Sequence, residues 1–257
     1  MAGDFPDHFS AVATAYARHR PDYPAELFDW LAAHTPRHER AWDCASGNGQ
    51  AAQGLQPHFP QVVATDAALA LLAALPATTG IDRIACAAEA CALSDASVDL
   101  ACVAQAAHWF RHAEFHHEVA RVLRPGGLLA IWGYGILRAE DPALDRLLTD
   151  FHDTTLAPWW PEERNHIRNH YRDLPFPWPE IQAPEFRIDR EWDRDTLLGY
   201  LGTWSAIRRA QDAGQNPLTT LEPALCTLWP NADTTARVHW PIFLRAGLRP
   251  RTMGHSP

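Results

Sequence analysis

The chain predicts an α/β fold, a three-layer sandwich around a seven-stranded, mostly parallel sheet, and three observations carry that prediction. Between about residues 39 and 133, short apolar stretches of strand length alternate with stretches of helical spacing, the pattern of a parallel sheet covered on both faces. The turn after the first apolar stretch, Ala41-Trp-Asp-Cys-Ala-Ser-Gly-Asn-Gly-Gln-Ala-Ala52, is built of small residues. Glycines there let backbone approach a ligand closely, and the helix that follows supplies N–H groups. An acidic or polar residue also closes each of four stretches: Asp43, Asp66, Glu89 and Gln105. Ends of that kind fall on the carboxyl edge of a parallel sheet, where ligands bind.

Each element follows in order. Phe9, Val12, Ala13, Tyr16 and Ala17 have helical spacing over about 7–19, and Arg20-Pro21 ends that helix. A second helix, about 24–33, shows Leu27, Trp30 and Leu31 on one face. Strands are then predicted near 39–44, 61–66, 82–87, 97–104 and 126–133, with helices near 49–56, 67–75 and 112–123. After Tyr134 the pattern changes. Asp141-Pro142 caps a helix carrying Leu144, Leu147, Leu148 and Phe151, and two Pro/Trp clusters follow, Pro158-Trp-Trp-Pro161 and Pro175-Phe-Pro-Trp-Pro179. Residues 134–183 are therefore read as an insertion between strands 5 and 6, over the mouth of the sheet, because a plain connection is far shorter. Phe186, Ile188 and Trp192 mark the sixth strand, and Val238, Trp240, Ile242 and Leu244 the seventh, where Pro241 argues for an edge or a bulge. The whole, 1–257, reads as one domain with a core at about 36–133.

Charge and cysteines narrow the function. With 22 basic against 31 acidic side chains and no basic cluster, a nucleic-acid partner is not expected. The five cysteines, Cys44, Cys86, Cys91, Cys102 and Cys226, contain no C-x-x-C pair and read as reduced thiols of a cytoplasmic protein. The N-terminus lacks a signal peptide, and the longest apolar run, Gly126–Leu137, is shorter than the roughly 18–20 residues that span a bilayer, so no membrane association is expected. A monomer or homodimer is expected.

The small-residue turn admits two nucleotide-type ligands. Gly47-x-Gly49-x-x-Ala52 with Asp66 satisfies a loose dinucleotide fingerprint and hence a nicotinamide-dependent oxidoreductase, whereas Asp43-x-Ala45-x-Gly47-x-Gly49 fits a loop for S-adenosyl-L-methionine (SAM). Asp43 favours SAM, whose methionine ammonium attracts an anion that a pyrophosphate would repel. Downstream, Ala88-Glu89, the box Gln105-Ala-Ala-His-Trp-Phe110 and Arg124-Pro-Gly-Gly127 follow in order. In these motifs the chain resembles class I SAM-dependent methyltransferases, specifically the type 11 group that includes trans-aconitate methyltransferase-like enzymes. The entry segment Phe9–Pro24 and the late Tyr200-Leu-Gly-Thr-Trp-Ser-Ala206 extend the resemblance almost end to end.

The resemblance implies a Rossmann-like sheet and transfer of a methyl group, leaving S-adenosyl-L-homocysteine. It implies a cofactor site of Asp43, Ala45, Gly47, Gly49, Asp66, Ala67, Ala88, Glu89, Gln105 and Ala106, closed by an N-terminal helical lid, about 7–23, whose Tyr16 and Arg20 contact the cofactor. Arg20 would pair with the methionine carboxylate. Ala45 departs from the group, which has glycine there. A methyl is tolerated if φ is negative, so reduced clearance is expected rather than lost binding. That departure also leaves room for a methyltransferase-fold protein that binds SAM without turnover.

His108 is the candidate catalytic residue, an imidazole able to accept a proton near neutrality. Trp109, Trp159, Trp160 and Trp178 are candidate substrate-side walls. His112/His116 and His166/His170 share helix faces but lack a completing acid or cysteine, so no metal is expected. The acceptor is expected to be a small molecule methylated on oxygen, such as a carboxylate, with Arg138, Arg164, Arg168, Arg208 and Arg209 as candidate clamps.

Overall fold

A computed structural model describes residues 21–231 and 233–251. The first predicted helix, with Tyr16 and Arg20, lies outside the described residues. The chain divides into two compact units. Of the described residues, one comprises Tyr23–Gly133, Asn169–Phe186 and 242–251; the other comprises Tyr134–Arg168, Arg187–Pro241 and 21–22.

The first unit holds α1 (Ala25–Ala33), β1 (Arg40–Cys44), α2 (Gln50–Leu55), β2 (Gln61–Asp66), α3 (Leu69–Ala74), β3 (Ile81–Ala85), β4 (Val98–Ala104), α4 (His112–Val122) and nearly all of β5 (Leu123–Tyr134). Its strand order is β3-β2-β1-β4-β5, every pair parallel. In β4 every residue but Ala104 is buried, and β1 and β2 are buried beyond their first residue. Strands covered on both faces read as unbroken apolar runs, which is why these were predictable. The register sets Cys44 beside both Thr65 and Val103, and Asp66 beside Ala85, so the turns after β1, β2 and β4 leave one edge of the sheet.

At the opposite, amino-terminal edge, the buried Asp99 carboxylate accepts the Glu39 and Arg40 N–H groups at 2.9 and 3.0 Å and pairs with Arg124 at 2.7 Å. Gly127 is packed so closely that a Cβ would stand 2.8 Å from the Asp99 carbonyl oxygen. The Arg124-Pro-Gly-Gly127 motif is thus structural, bracing strand starts away from the ligand edge.

The second unit holds β6 (Arg138–Ala139), α5 (Pro142–Asp150), a π-helical turn at Phe151–Thr155, α6 (Arg164–Arg168), all but the first residue of β7 (Phe186–Trp192), α7 (Arg194–Gly202), α8 (Ser205–Asp212), α9 (Leu218–Leu228) and the first half of β8 (Ala236–Leu248). The Asp141 cap is present, its carboxylate accepting the Ala143 and Leu144 N–H groups at 2.9 and 2.8 Å.

Two expectations are corrected here. Among the described residues the sheet has eight strands, not seven, because Arg138–Ala139 pairs antiparallel with β8 inside the stretch read as an insertion. Two residues are too few to show an alternating pattern. Of the edge or bulge expected at Pro241, the edge is excluded among the described residues, since β5 and β6 lie along β8 and β7 pairs with it as well. Pro241 is tolerated because it stands opposite Gly135, in the break between β5 and β6, where its carbonyl accepts the Gly135 N–H at 2.9 Å. Among the described residues, no helix is long and apolar enough to cross a membrane.

Candidate functional site

The turn after β1 is held from beneath by Asp43. Its carboxylate is fully buried and accepts the Ala52 N–H at 2.9 Å and the Cys102 thiol at 3.6 Å. Burial pushes its pKa up to about 7, against the lowering effect of those two hydrogen bonds, and nearby Asp66 raises it further. Asp43 therefore shapes the loop from inside the protein.

Asp66, ending β2, reaches the same loop. One carboxylate oxygen accepts the Gly47 N–H at 2.9 Å and the other the Ala68 N–H at 2.8 Å. This ties the two turns together, and the exposed Ala67 lies between the two anchor points. Gly47 has φ +56°, and a Cβ built on it would meet none of the described residues within 4 Å. Gly49 differs: at φ +82° its Cβ would stand 2.1 Å from Leu75 Cδ1, so this glycine serves close packing. Beside them, the buried Ser46 hydroxyl has no hydrogen-bond partner among the described residues. A backbone with open space before it, a carboxylate holding it and an unsatisfied hydroxyl fit a polar ligand such as SAM.

Ala45 corrects the sequence reading. Its φ is +54°, in the left-handed region where L-residues with a Cβ are strained. The loop conformation demanded by Asp43 and Asp66 overrides the residue's own preference. Ala45→Gly is expected to stabilise the protein by about 1 kcal/mol, read as a higher urea midpoint at unchanged slope. A lower midpoint would show that the strain is absent in solution.

The turn after β4 brings the rest. Gln105, at φ +59°, donates its N–H to the Trp132 carbonyl at 2.9 Å, and Ala106 leads into a single 3-10 turn, Ala107–Trp109. Trp109 is 54 % exposed, an unusual position for an indole and consistent with a ligand-facing wall. His108 lies against it with ring centroids 4.7 Å apart, and its Nδ1 is 2.8 Å from the hydroxyl of Tyr171. Ala88 and Glu89 follow β3, and the Glu89 carboxylate accepts the Arg111 N–H at 3.0 Å, at the start of α4. Tyr171 is the residue that sequence reasoning missed. It is fully buried and 63 positions from His108, with no pattern linking them.

The remaining candidates are divided between the units. Trp109 and Trp178 belong to the first, Trp159 and Trp160 to the second. In the second unit the Trp160 ring lies tilted against the buried His152, 4.7 Å between centroids, and carries the Arg164 guanidinium 4.0 Å above it, beside a cleft of roughly 180 Å³. Arg138 is engaged by Asp145 at 2.5 Å and Arg168 by Asp153 at 3.5 Å. Among the described residues no cluster of three His, Cys, Asp or Glu side chains could hold a metal, and all five cysteines are free thiols.

Residues 42–131 match the methyltransferase domain family, a span that runs from within β1 to within β5 and includes the turns after β1, β2, β3 and β4. A solved structure from Anaeromyxobacter dehalogenans, assigned as a type II methyltransferase, is 41 % identical, with a TM-score of 0.85 over 90 % of this chain and 99 % of that one. An uncharacterized methyltransferase of Mycobacterium tuberculosis is 37 % identical across 62 % of this chain and 71 % of its own length. A methyltransferase-assigned protein of Dictyostelium discoideum is 27 % identical over 93 % and 94 %. These relationships set aside the oxidoreductase reading of the glycine turn. With these relatives, and with Asp66 at the end of β2 holding the glycine turn through Gly47, the chain belongs to the class I SAM-dependent methyltransferases.

Proposed function

We propose that this enzyme methylates a small, partly apolar acceptor on oxygen, a carboxylate being favoured, as in the trans-aconitate methyltransferase-like enzymes it resembles. The observation that carries the proposal is the surround of His108. A histidine hydrogen-bonded to a buried tyrosine, flanked by an exposed tryptophan and next to Gln105, offers polar contacts to an acceptor within an aromatic wall. A carboxylate acceptor is already nucleophilic and needs no strong base. The net charge of −9 disfavours a polyanionic partner.

When bound, SAM supplies a methyl group made electrophilic by its sulfonium charge. The residues proposed to hold it are Gly47, Gly49, Asp66, Ala67, Ala88, Glu89, Gln105 and Ala106, on a loop braced by Asp43. The protein's share of the work is orientation and exclusion of water, and orientation alone supplies up to roughly 7–11 kcal/mol in favourable cases. Trp109 and Trp178, which belong to the same unit as His108, are the proposed acceptor walls.

The test is methyl transfer from labelled SAM into a panel of carboxylic acids, phenols, amines and thiols, with tRNA and protein as controls. Label in an acid, released by mild alkali as expected of a methyl ester, is the predicted result. Label confined to tRNA or protein would overturn the acceptor class, and an alkali-stable product would exclude the ester.

We also propose that residues 7–23 cover the bound cofactor, with Tyr16 and Arg20 on one helix face, four residues apart. Hydrogen exchange in this segment is expected to slow on adding S-adenosyl-L-homocysteine. Equal protection without ligand would make it a permanent scaffold instead.

A further inference from the structure

Tyr171 is held with unusual firmness. It and His170 are consecutive residues in the left-handed region, with φ +57° and +54°. Two adjacent side-chain-bearing residues persist there only where surrounding contacts over-determine the turn. Those contacts are visible. Arg245 donates to the Tyr171 and Leu174 carbonyl oxygens at 2.6 and 2.7 Å, and is itself gripped by both Glu180 carboxylate oxygens at 2.6 and 3.1 Å. Phe243 meets His170 face to face and Tyr171 edge to face, each at 5.0 Å between ring centroids. This bracing sets the Tyr171 hydroxyl 2.8 Å from His108 Nδ1.

The direction of that hydrogen bond follows from acidity. A phenol is a far better proton donor than a neutral imidazole N–H, and an imidazole lone pair a far better acceptor than a phenol oxygen. The Tyr171 O–H therefore donates to Nδ1, and the ring proton of the neutral imidazole resides on Nε2. We infer that Tyr171 is a positioning residue that holds His108 as the Nε2–H tautomer, making the imidazole a hydrogen-bond donor to the acceptor's oxygen rather than a base. The contact to the acceptor rests on the function proposed above; the tautomer does not. The inference also refines the role expected from sequence, since a carboxylate acceptor gains from a donor that orients it and has no proton to surrender.

The tautomer is read directly from imidazole nitrogen shifts of the full-length, ¹⁵N-labelled protein with S-adenosyl-L-homocysteine, with His108→Gln used to assign the signals. At a pH where His108 is neutral, Nδ1 is expected at the shift of an unprotonated nitrogen and Nε2 at that of an N–H. Tyr171→Phe is expected to turn that single form into a mixture. A wild-type ring protonated on Nδ1 overturns the inference whether or not the variant folds, and so does a Tyr171→Phe ring with wild-type shifts.

In the labelled-SAM assay with an accepted acid, Tyr171→Phe is expected to raise the acceptor KM about tenfold with unchanged affinity for S-adenosyl-L-homocysteine. Equal losses for acceptor and cofactor would mark a merely structural residue and overturn the positioning role. If no acid is methylated, the proposed acceptor class fails while the nitrogen shifts still decide the tautomer.

Discussion

Replacing Asp66 by alanine is expected to weaken S-adenosyl-L-homocysteine binding by about 1.5–3 kcal/mol, roughly 10- to 150-fold in Kd. Two losses contribute. In the proposed cofactor site the carboxylate would accept the ribose hydroxyls, as at nucleotide-type sites that close a second strand. It also accepts the Gly47 and Ala68 N–H groups, so its removal releases the turns on either side of the ligand. Gly47→Val attacks the same site from the other side. It fills the open space before the loop and forces a β-branched residue to φ +56°. Isothermal calorimetry on both variants separates the roles. If both bind as tightly as the wild type, the cofactor does not occupy this loop. Loss in Gly47→Val alone would mean that Asp66 shapes the turn without touching the ligand.

The parts of this molecule legible in its sequence are those where burial leaves one reading. β1, β2 and β4 are covered on both faces, so their apolar runs announce them, and the residues that end them mark the ligand edge. Helices α7 and α9 are different. Gly199 and Gly202 interrupt the first, and Pro217 and Pro223 punctuate the last, so no single apolar stripe stands out. The sign of φ at Ala45 was beyond reach for another reason. Residue type favours a negative value, and only the anchors at Asp43 and Asp66 impose the positive one. The His108–Tyr171 pair is a purely tertiary fact. A turn at 170–171, clamped by Arg245 from β8, returns the phenol to β4, and no local pattern encodes a contact between residues so far apart.

Asp43→Asn is expected to abolish a large pH dependence of stability. In the folded protein the carboxyl is wholly buried and holds its proton to about pH 7, mainly through desolvation, while the unfolded chain releases it near 3.8. Between those values the native state binds one more proton than the unfolded state, so stability falls as pH rises. Moving an acid's pKa that far costs roughly 4 kcal/mol once pH exceeds 7, and nothing below pH 3.8. An asparagine keeps an oxygen for the Ala52 N–H and has no proton to lose. The stability of Asp43→Asn relative to wild type, from urea unfolding, should therefore climb by a few kcal/mol between pH 5 and pH 8, while other titrating groups cancel in the difference. Parallel pH curves for the two proteins would mean that Asp43 is ionised throughout, stabilised by more than the two hydrogen bonds it accepts. The same titration bears on the cofactor. A cationic ligand beside the loop favours the carboxylate, so SAM should bind more tightly at pH 8 than at pH 6. In Asp43→Asn that part of the gain should vanish.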